Sequence, residues 1–362
     1  MKLTKSKYRA EQDCDCPYLI DRIEAARGGG NARIGRKVVV FQSTASTNDI
    51  AWEYAANADN DGLCVLAESQ SKGRGRRGRV WLSEPRQSIL CSVLLTNTPI
   101  EAELLTLAAA VATAEAINRS AWATAEAVNR SAWASAFAEA TVDRQSTLQN
   151  SKHNHGQAPD FAKATVDTQS TLQNSKHNHG QADPSAPLGT WLDRATWVQC
   201  RIKWPNDILI QEQKIAGILV EKRTKNKRPC FVIGIGINCN QGPEFFAAHD
   251  LNMPATSLSI QTGQTIDRTA LVCELLEQIE LWLDKSCTKN SVGTAHPTGN
   301  PVIERWLQLS GMLGRHITVE CDGRRYSGFC RGVDPAQGLI LHLDNSLVGM
   351  FSASHTSVVS EP

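Results

Sequence analysis

The stretch Gly73-Arg74-Gly75-Arg76-Arg77-Gly78 satisfies the spacing G-x-G-x-x-G, and what surrounds it limits the fold more than the motif does. A dinucleotide-binding fold needs this loop between a strand and a helix, with the pyrophosphate on the helix N-terminus. Here an apolar strand candidate, 62–68, runs into the loop. Residues 81–86 with Pro85, and then a second strand candidate, 88–95, come out of it. A loop joining two strands excludes the Rossmann arrangement. No G-x-x-x-x-G-K-[ST] occurs either, which excludes a P-loop nucleotidase. The residues still describe an anion cradle. Glycine permits positive φ and close backbone approach, arginine offers a planar cationic fork for carboxylate or phosphate, and Trp81 can close over an aromatic ring. A nucleic-acid footprint is the competing reading of an arginine-rich loop. It lacks aromatic interleaving before Trp81, and no zinc-finger or RNP signature occurs elsewhere.

The rest of the chain supplies a core for such a loop. Its 362 residues are enough for one large or two ordinary domains. With 38 basic and 37 acidic side chains, the net charge of +1 exerts no global pull on nucleic acid or membrane. No apolar run is long enough to span a bilayer, and no apolar core follows the charged N-terminus as a secretory signal requires. Eleven cysteines scattered through apolar stretches predict reduced thiols in a cytoplasm. Cys14-Asp15-Cys16 is too short a pair for a zinc knuckle.

Along the chain, 1–36 reads as a peripheral lead-in with one helix candidate, 18–26. Residues 37–41 read as a strand, 43–49 as a turn whose Ser and Thr cap a helix at 48–57, and a long Ala/Leu-rich helix begins near Glu101. Strand candidates resume at 197–204, 208–210 and 215–221, the last two joined as a hairpin through 211–214. Another follows at 231–238, with glycines on alternate positions where close backbone approach is the usual reason. Leu271, Leu275, Ile279 and Leu283 predict an amphipathic helix over 267–284, and 288–301 reads as a linker. From 311 to 362, short strands and glycine turns predict a small barrel-like β module.

Between the helix and strand 197–204 lie two internal duplications. Residues 114–123 return at 125–134, an offset of 11, or three turns at about 3.67 residues per turn, which lengthens a helix without rotating its apolar face. Residues 137–158 return at 161–182, with polar tracts too poor in apolar residues to bury. Residues 119–190 therefore read as a disordered insertion inside a domain. They carry His153, His155, His177 and His179. No cysteine or carboxylate sits at ligand spacing, so copying of one incidental pair explains these histidines better than a metal site.

A second constellation is Lys203-Trp204-Pro205-Asn206-Asp207 with Lys214. A Pro-Asn-Asp turn is by itself most often only a turn. Beside an anion-holding loop, Asp207 could hold Mg²⁺ through oxygen, and Lys214 could offset charge developing between a carboxylate and a phosphate.

The loop with Trp81, 203–207, Lys214-Ile215-Ala216-Gly217-Ile218-Leu219-Val220-Glu221 and Gly234-Ile235-Gly236-Ile237-Asn238 occur in the order seen in biotin–protein ligases, which the chain resembles over 37–362 outside the insertion. The resemblance implies an α/β (α+β) catalytic domain with a mixed sheet over 37–300, related to class II synthetase-like and lipoate ligase folds. A C-terminal SH3-like barrel would follow over 311–362. It implies that biotin and ATP form biotinyl-5′-adenylate, and that a lysine on the biotin-acceptor domain of a carboxylase (the biotin carboxyl carrier protein) then takes the biotinyl group.

By position, Ser46, Thr47 and Gln70 match residues that line the biotin pocket, Gly73 and Arg74 match those at the biotin carboxylate, and Gly217 lies beside the biotin. Arg76 matches an arginine that retains the adenylate, and Arg77 next to it is expected to bind the adenylate as well. Trp81 matches the aromatic that packs on adenine. Lys214 matches a lysine at carboxylate and phosphate, Asn206 and Asp207 the pair near ATP and Mg²⁺, and Asn238 an adenylate-site asparagine. Lys214, Arg76 and Asp207 are the catalytic candidates. The residues before the first strand are too few and wrongly patterned for a DNA-binding winged helix, so a monofunctional enzyme without DNA or membrane partners is expected; a homodimer is compatible. A lipoate- or octanoate-handling ligase of the related fold stays open as an alternative, as does a non-catalytic biotin- or nucleic-acid-binding module.

Overall fold

The computed structural model describes residues 20–28, 32–150, 199–251, 253–287, 299–334 and 336–360. Cys14, Cys16 and the four repeat histidines lie outside them. The described residues hold a seven-stranded mixed sheet in the order β1-β2-β3-β7-β6-β5-β4. Its strands are β1 (Val38–Phe41), β2 (Cys64–Ala67), β3 (Ser88–Leu95), β4 (Arg201–Lys203), β5 (Asp207–Ile210), β6 (Gln213–Lys225) and β7 (Arg228–Asn238). β1 and β2 pair in parallel and the rest antiparallel. The β5–β6 hairpin turns on Gln211 and Glu212, both at positive φ (48° and 61°), the geometry of a two-residue primed turn.

β3 is buried along its whole length because both faces of the sheet are covered. On one face Ile89, Cys91, Val93 and Leu95 share a core with the helices α3 (Ala102–Asn150) and α6 (Arg268–Cys287). On the other, α2 (Thr47–Tyr54) seats Ala51 and Trp52 against Val65, Leu94 and Val232. The described part of the lead-in, 20–28 and 32–36, is not peripheral as expected: α1 (Ile20–Gly28) places Ile23 in the main core, Ile34 follows it there, and Arg27 pairs with Glu280 of α6. Three isoleucines, Ile20, Ile23 and Ile34, in a polar stretch carry only a weak periodic signal, so this docking was not readable locally.

α3 runs on through both copies of the eleven-residue repeat to Asn150, where disorder was expected from 119 onward. The three-turn offset keeps the repeat in helical phase, and Ala-rich sequence has high helix propensity. The chain comes back beside this helix, with Cys200 N–H donating to Asn118 Oδ1 at 2.9 Å.

Two short helices follow β7: α4 (Pro243–Ala247) and α5 (Leu258–Thr262). Past the linker stretch, α7 (Pro301–Ser310) starts on an Asn300 cap, whose Oδ1 accepts from Val302 N–H at 2.9 Å, and stops at left-handed Gly311. The C-terminal strands β8 (His316–Cys321), β9 (Arg324–Asp334), β10 (Gly338–Leu343), β11 (Val348–Phe351) and β12 (Thr356–Ser360) form an antiparallel sheet ordered β11-β10-β9-β8-β12. The small β module expected there is present as this five-stranded sheet. Ser352 Oγ donates to Glu103 Oε1 of α3 at 2.7 Å and ties it to the larger domain. Among the described residues no helix is long and apolar enough to cross a membrane, and every cysteine is free.

Candidate active site

β3, β6 and β7 offer one face without bulk. Ser92, Leu90 and Ser88 of β3 lie opposite Gly234, Gly236 and Asn238 of β7, and Gly236 lies opposite Gly217 of β6. Alternation puts these residues on a common face. The glycines are there because other groups rest on them. A Cβ at Gly236 would meet Trp81 Cε2 at 2.4 Å, and one at Gly234 would meet Asn48 Oδ1 at 2.4 Å. Above this shelf opens a cavity of about 500 Å³. All the expected site residues line it except Gly73, whose backbone carbonyl instead accepts from Trp81 N–H and closes the loop.

One end of the cavity is neutral and internally bonded. Ser46 stands at the N-cap of α2, yet its side chain makes no cap bond. The capping acceptor is Gln70: its Oε1 takes the Thr47 N–H at 2.7 Å and the Thr47 hydroxyl at 3.0 Å. With the carbonyl end held twice, the amide nitrogen of Gln70 remains as a donor. Behind them, fully buried Ser92 lies 2.7 Å from Thr47 Oγ1 and donates to Asn48 Oδ1 at 2.6 Å. Asn48 is 4% exposed and its Nδ2 has no hydrogen-bond partner. Neither Ser92 nor Asn48 was expected in the site. Ser92 is hidden in an apolar strand, and only its place opposite Gly234 gives it meaning.

The arginines of the loop diverge. Arg74 makes a bidentate pair with Asp49, at 2.7 and 2.8 Å, and reaches Glu221 at 3.3 Å. That pairing raises its pKa and holds the Asp49 carboxyl below its ordinary range. Arg76 turns into the cavity, where Nη1 donates to Asn206 Oδ1 at 3.2 Å and Nη2 is shut off from solvent without a partner. Burial pushes its guanidinium down from the usual range, and Arg77 adds to this while Glu103 and Asp207 oppose it. Asn206 is itself fixed, donating to the Ile218 carbonyl at 2.5 Å. Arg77, at the cavity's rim, turns toward the C-terminal sheet: it donates to the His355 carbonyl and, at 3.3 Å, to Ser357 Oγ.

Lys214 joins this end through an irregularity. β5 pairs Ile208 with Ala216 but Leu209 with Lys214, so Ile215 is bulged out. Three positions apart on a regular strand, Lys214 and Gly217 would face opposite ways. The bulge re-aims the lysine, so that a Cβ at Gly217 would lie 3.3 Å from its Nζ. There Nζ is 2.6 Å from Asp207 Oδ1 and 5.7 Å from the centre of the Trp81 ring. Trp81, expected over an adenine, rests on Gly217 and Gly236, and its Nε1 is buried without a partner. Asn238 donates to the Thr256 carbonyl at 3.0 Å, and its Oδ1 accepts from Gln241 at 3.3 Å, so it braces the wall.

Asp207, beside Lys214 in the cavity wall, is a carboxylate placed for a cation. Among the described residues no group of three or more His, Cys, Asp or Glu could hold a metal on its own. This donor set fits Mg²⁺ only as an ion that keeps waters and binds substrate phosphates alongside a single carboxylate.

The model of the Biotin/lipoate A/B protein ligase family matches residues 40–155 and 192–238, which carry the loop, Asp207, Lys214 and the glycine shelf. The chain is 25% identical over 323 residues to the Bifunctional ligase/repressor BirA of Bacillus subtilis (strain 168), covering 88% of this chain and 74% of that one. It is 27% identical over 249 residues to the Biotin--[acetyl-CoA-carboxylase] ligase of Mycobacterium tuberculosis, covering 68% and 63%. In fold it is similar to the biotin protein ligase from Aquifex aeolicus in complex with biotin and ATP, with a TM-score of 0.53 and 18% identity over 89% of this chain and 98% of that one.

Proposed function

We propose that this chain, which belongs to the biotin/lipoate A/B protein ligase family, is an ATP-dependent biotin–protein ligase of the cytoplasm, acting on the biotin-acceptor domain of a carboxylase. The observation that carries this reading is a single cavity with a neutral hydrogen-bonding end at Gln70 and a cationic end at Arg76 and Lys214. A substrate with an uncharged polar ring and a carboxylate, activated by a nucleotide, matches both ends.

In the first step a carboxylate oxygen of biotin attacks the α-phosphorus of ATP, and pyrophosphate leaves. Two anions must meet, and Lys214 stands where it offsets their charge. Arg76 supplies the N–H that lacks a partner. Mg²⁺, when bound with the triphosphate, would be held by Asp207 and would neutralise phosphate charge. Gln70 and Thr47 hold the ring, Arg74 shapes the loop through Asp49, and Trp81 covers the shelf against water. In the second step the neutral amine of an acceptor lysine attacks the acyl carbon. AMP leaves, and the amine's proton passes to a base, for which Asp207 is the carboxylate at hand.

The test is isotope exchange between ATP and pyrophosphate with Mg²⁺ and either biotin or lipoate. Biotin should support exchange and lipoate should not. Exchange with lipoate alone would replace this reading with that of a lipoate ligase.

A further inference from the structure

The side chains of Arg76 and Arg77, adjacent in sequence, part company. Arg77 sits at φ 56°, ψ 37°, inside the one turn of 3₁₀ helix at Arg76–Gly78. This is the left-handed region, which side chains other than glycine, asparagine and aspartate seldom adopt. Strain of this kind persists only where surroundings hold it, and it gathers at ligand clamps and switches. The structure names the holder. The Arg77 guanidinium spans to the His355 carbonyl and to Ser357 Oγ, the latter on β12. That strand lines the same cavity through Thr356, which is 1% exposed and has an unpartnered Oγ1. Arg77 thus turns outward where Arg76 turns inward. Arg77 is the largest like charge acting on Arg76, so its attachment to β12 also keeps the two cations apart.

We infer that Arg77 is a positioning residue: it fastens the loop bearing Arg76 and Trp81 to the C-terminal sheet, so that the lifetime of the bound adenylate depends on β12. The retention role rests on the proposed function, whereas the fastening itself does not. It follows that the C-terminal sheet forms a wall whose hold on the loop must loosen whenever the adenylate is released or handed to an acceptor.

The experiment uses the full chain and two readouts. Hydrogen exchange in the ligand-free protein follows the backbone amides of 73–81 and 355–358. Dissociation of a non-hydrolysable biotinyl-sulfamoyl adenosine follows retention. In Arg77→Gln, exchange should rise about fivefold or more in both segments together, and the analogue should leave about tenfold faster, while KM for biotin stays within about twofold of wild type. Arg77→Lys, which keeps the charge but loses the two-pronged fork, should fall between wild type and Gln. Ser357→Ala should do the same, because the His355 carbonyl remains. Unchanged exchange at 355–358 in Arg77→Gln would overturn the fastening. Faster exchange with unchanged dissociation would overturn the retention role, and faster dissociation without faster exchange would make Arg77 a ligand contact instead. If wild type fails to bind the analogue, the functional reading falls and the retention role with it, while exchange still decides the fastening.

Discussion

The two ends of the cavity satisfy their polar groups differently. At the Gln70 end Thr47, Gln70, Ser92 and Asn48 bond to one another, and Asn48 Nδ2 is the one buried atom without a partner. Every group there is uncharged, so this end stands assembled before any ligand arrives. At the Arg76 end a half-buried guanidinium makes one bond to a neutral amide and keeps one nitrogen, shut off from solvent, without any. A partly desolvated cation without a direct ion pair costs stability. The neutral end is a receptor already built, and the cationic end is one completed by its ligand. Arg74 sharpens the contrast, because the same residue type two positions earlier is fully paired with Asp49 and Glu221.

Substitutions can break this contrast. The largest effect is expected at Arg76. Arg76→Gln should release adenylate about 10²–10³ times faster, the usual consequence of losing a donor aimed at developing charge. The ligand-free melting temperature should hold or rise, since the variant buries no unpaired charge. A clear fall in melting temperature would mean that the guanidinium already has a stabilising partner.

Thr47→Val should act at the other end. Losing one of two bonds to Gln70 Oε1 should raise KM for biotin about tenfold, equivalent to about 1.4 kcal/mol, with KM for ATP nearly unchanged. An equal rise in both would erase the distinction between the ends. Gly236→Ala puts a methyl where the Trp81 ring lies. It should cost about 1–3 kcal/mol of overpacking, read as slower adenylate formation and as altered tryptophan emission.

The smallest effect belongs to Asp49→Asn, because this pair is more than a third exposed and exposed pairs contribute under about 1 kcal/mol. Arg74 depresses the folded pKa of Asp49. The contribution is therefore present above the unfolded value of about 3.9 and is lost as pH falls through the lower folded value. Wild type and Asp49→Asn should differ slightly in urea midpoint at pH 7 and converge in strong acid.

Much of this was legible where a local rule sufficed. The apolar run of β3, the hairpin at Gln211-Glu212, the four-residue spacing of α6 and the alternate glycines of β7 each follow from one periodicity or turn. The motif order also gathered most of the site. What escaped depends on contacts distant in sequence. Ser92 becomes a site residue only through pairing with β7. Lys214 reaches the Gly217 face only through a bulge. Arg76 and Arg77 are indistinguishable as letters and are separated by β12, a strand that short polar sequence did not announce. α7 is hidden for a different reason: its Asn300-Pro301 start is a cap signal that reads equally as the end of a linker.

On the proposed function, the cavity makes a reactive adenylate and gives it to a protein lysine. The most direct test incubates the chain with biotin and MgATP, isolates the protein with its bound product, and then adds a biotin-acceptor domain without further ATP. One bound biotinyl-adenylate per active site is expected, consumed on addition as AMP is released and one acceptor lysine becomes biotinylated. No adenylate before acceptor is added, or an adenylate that persists with the acceptor lysine unmodified, would contradict that function.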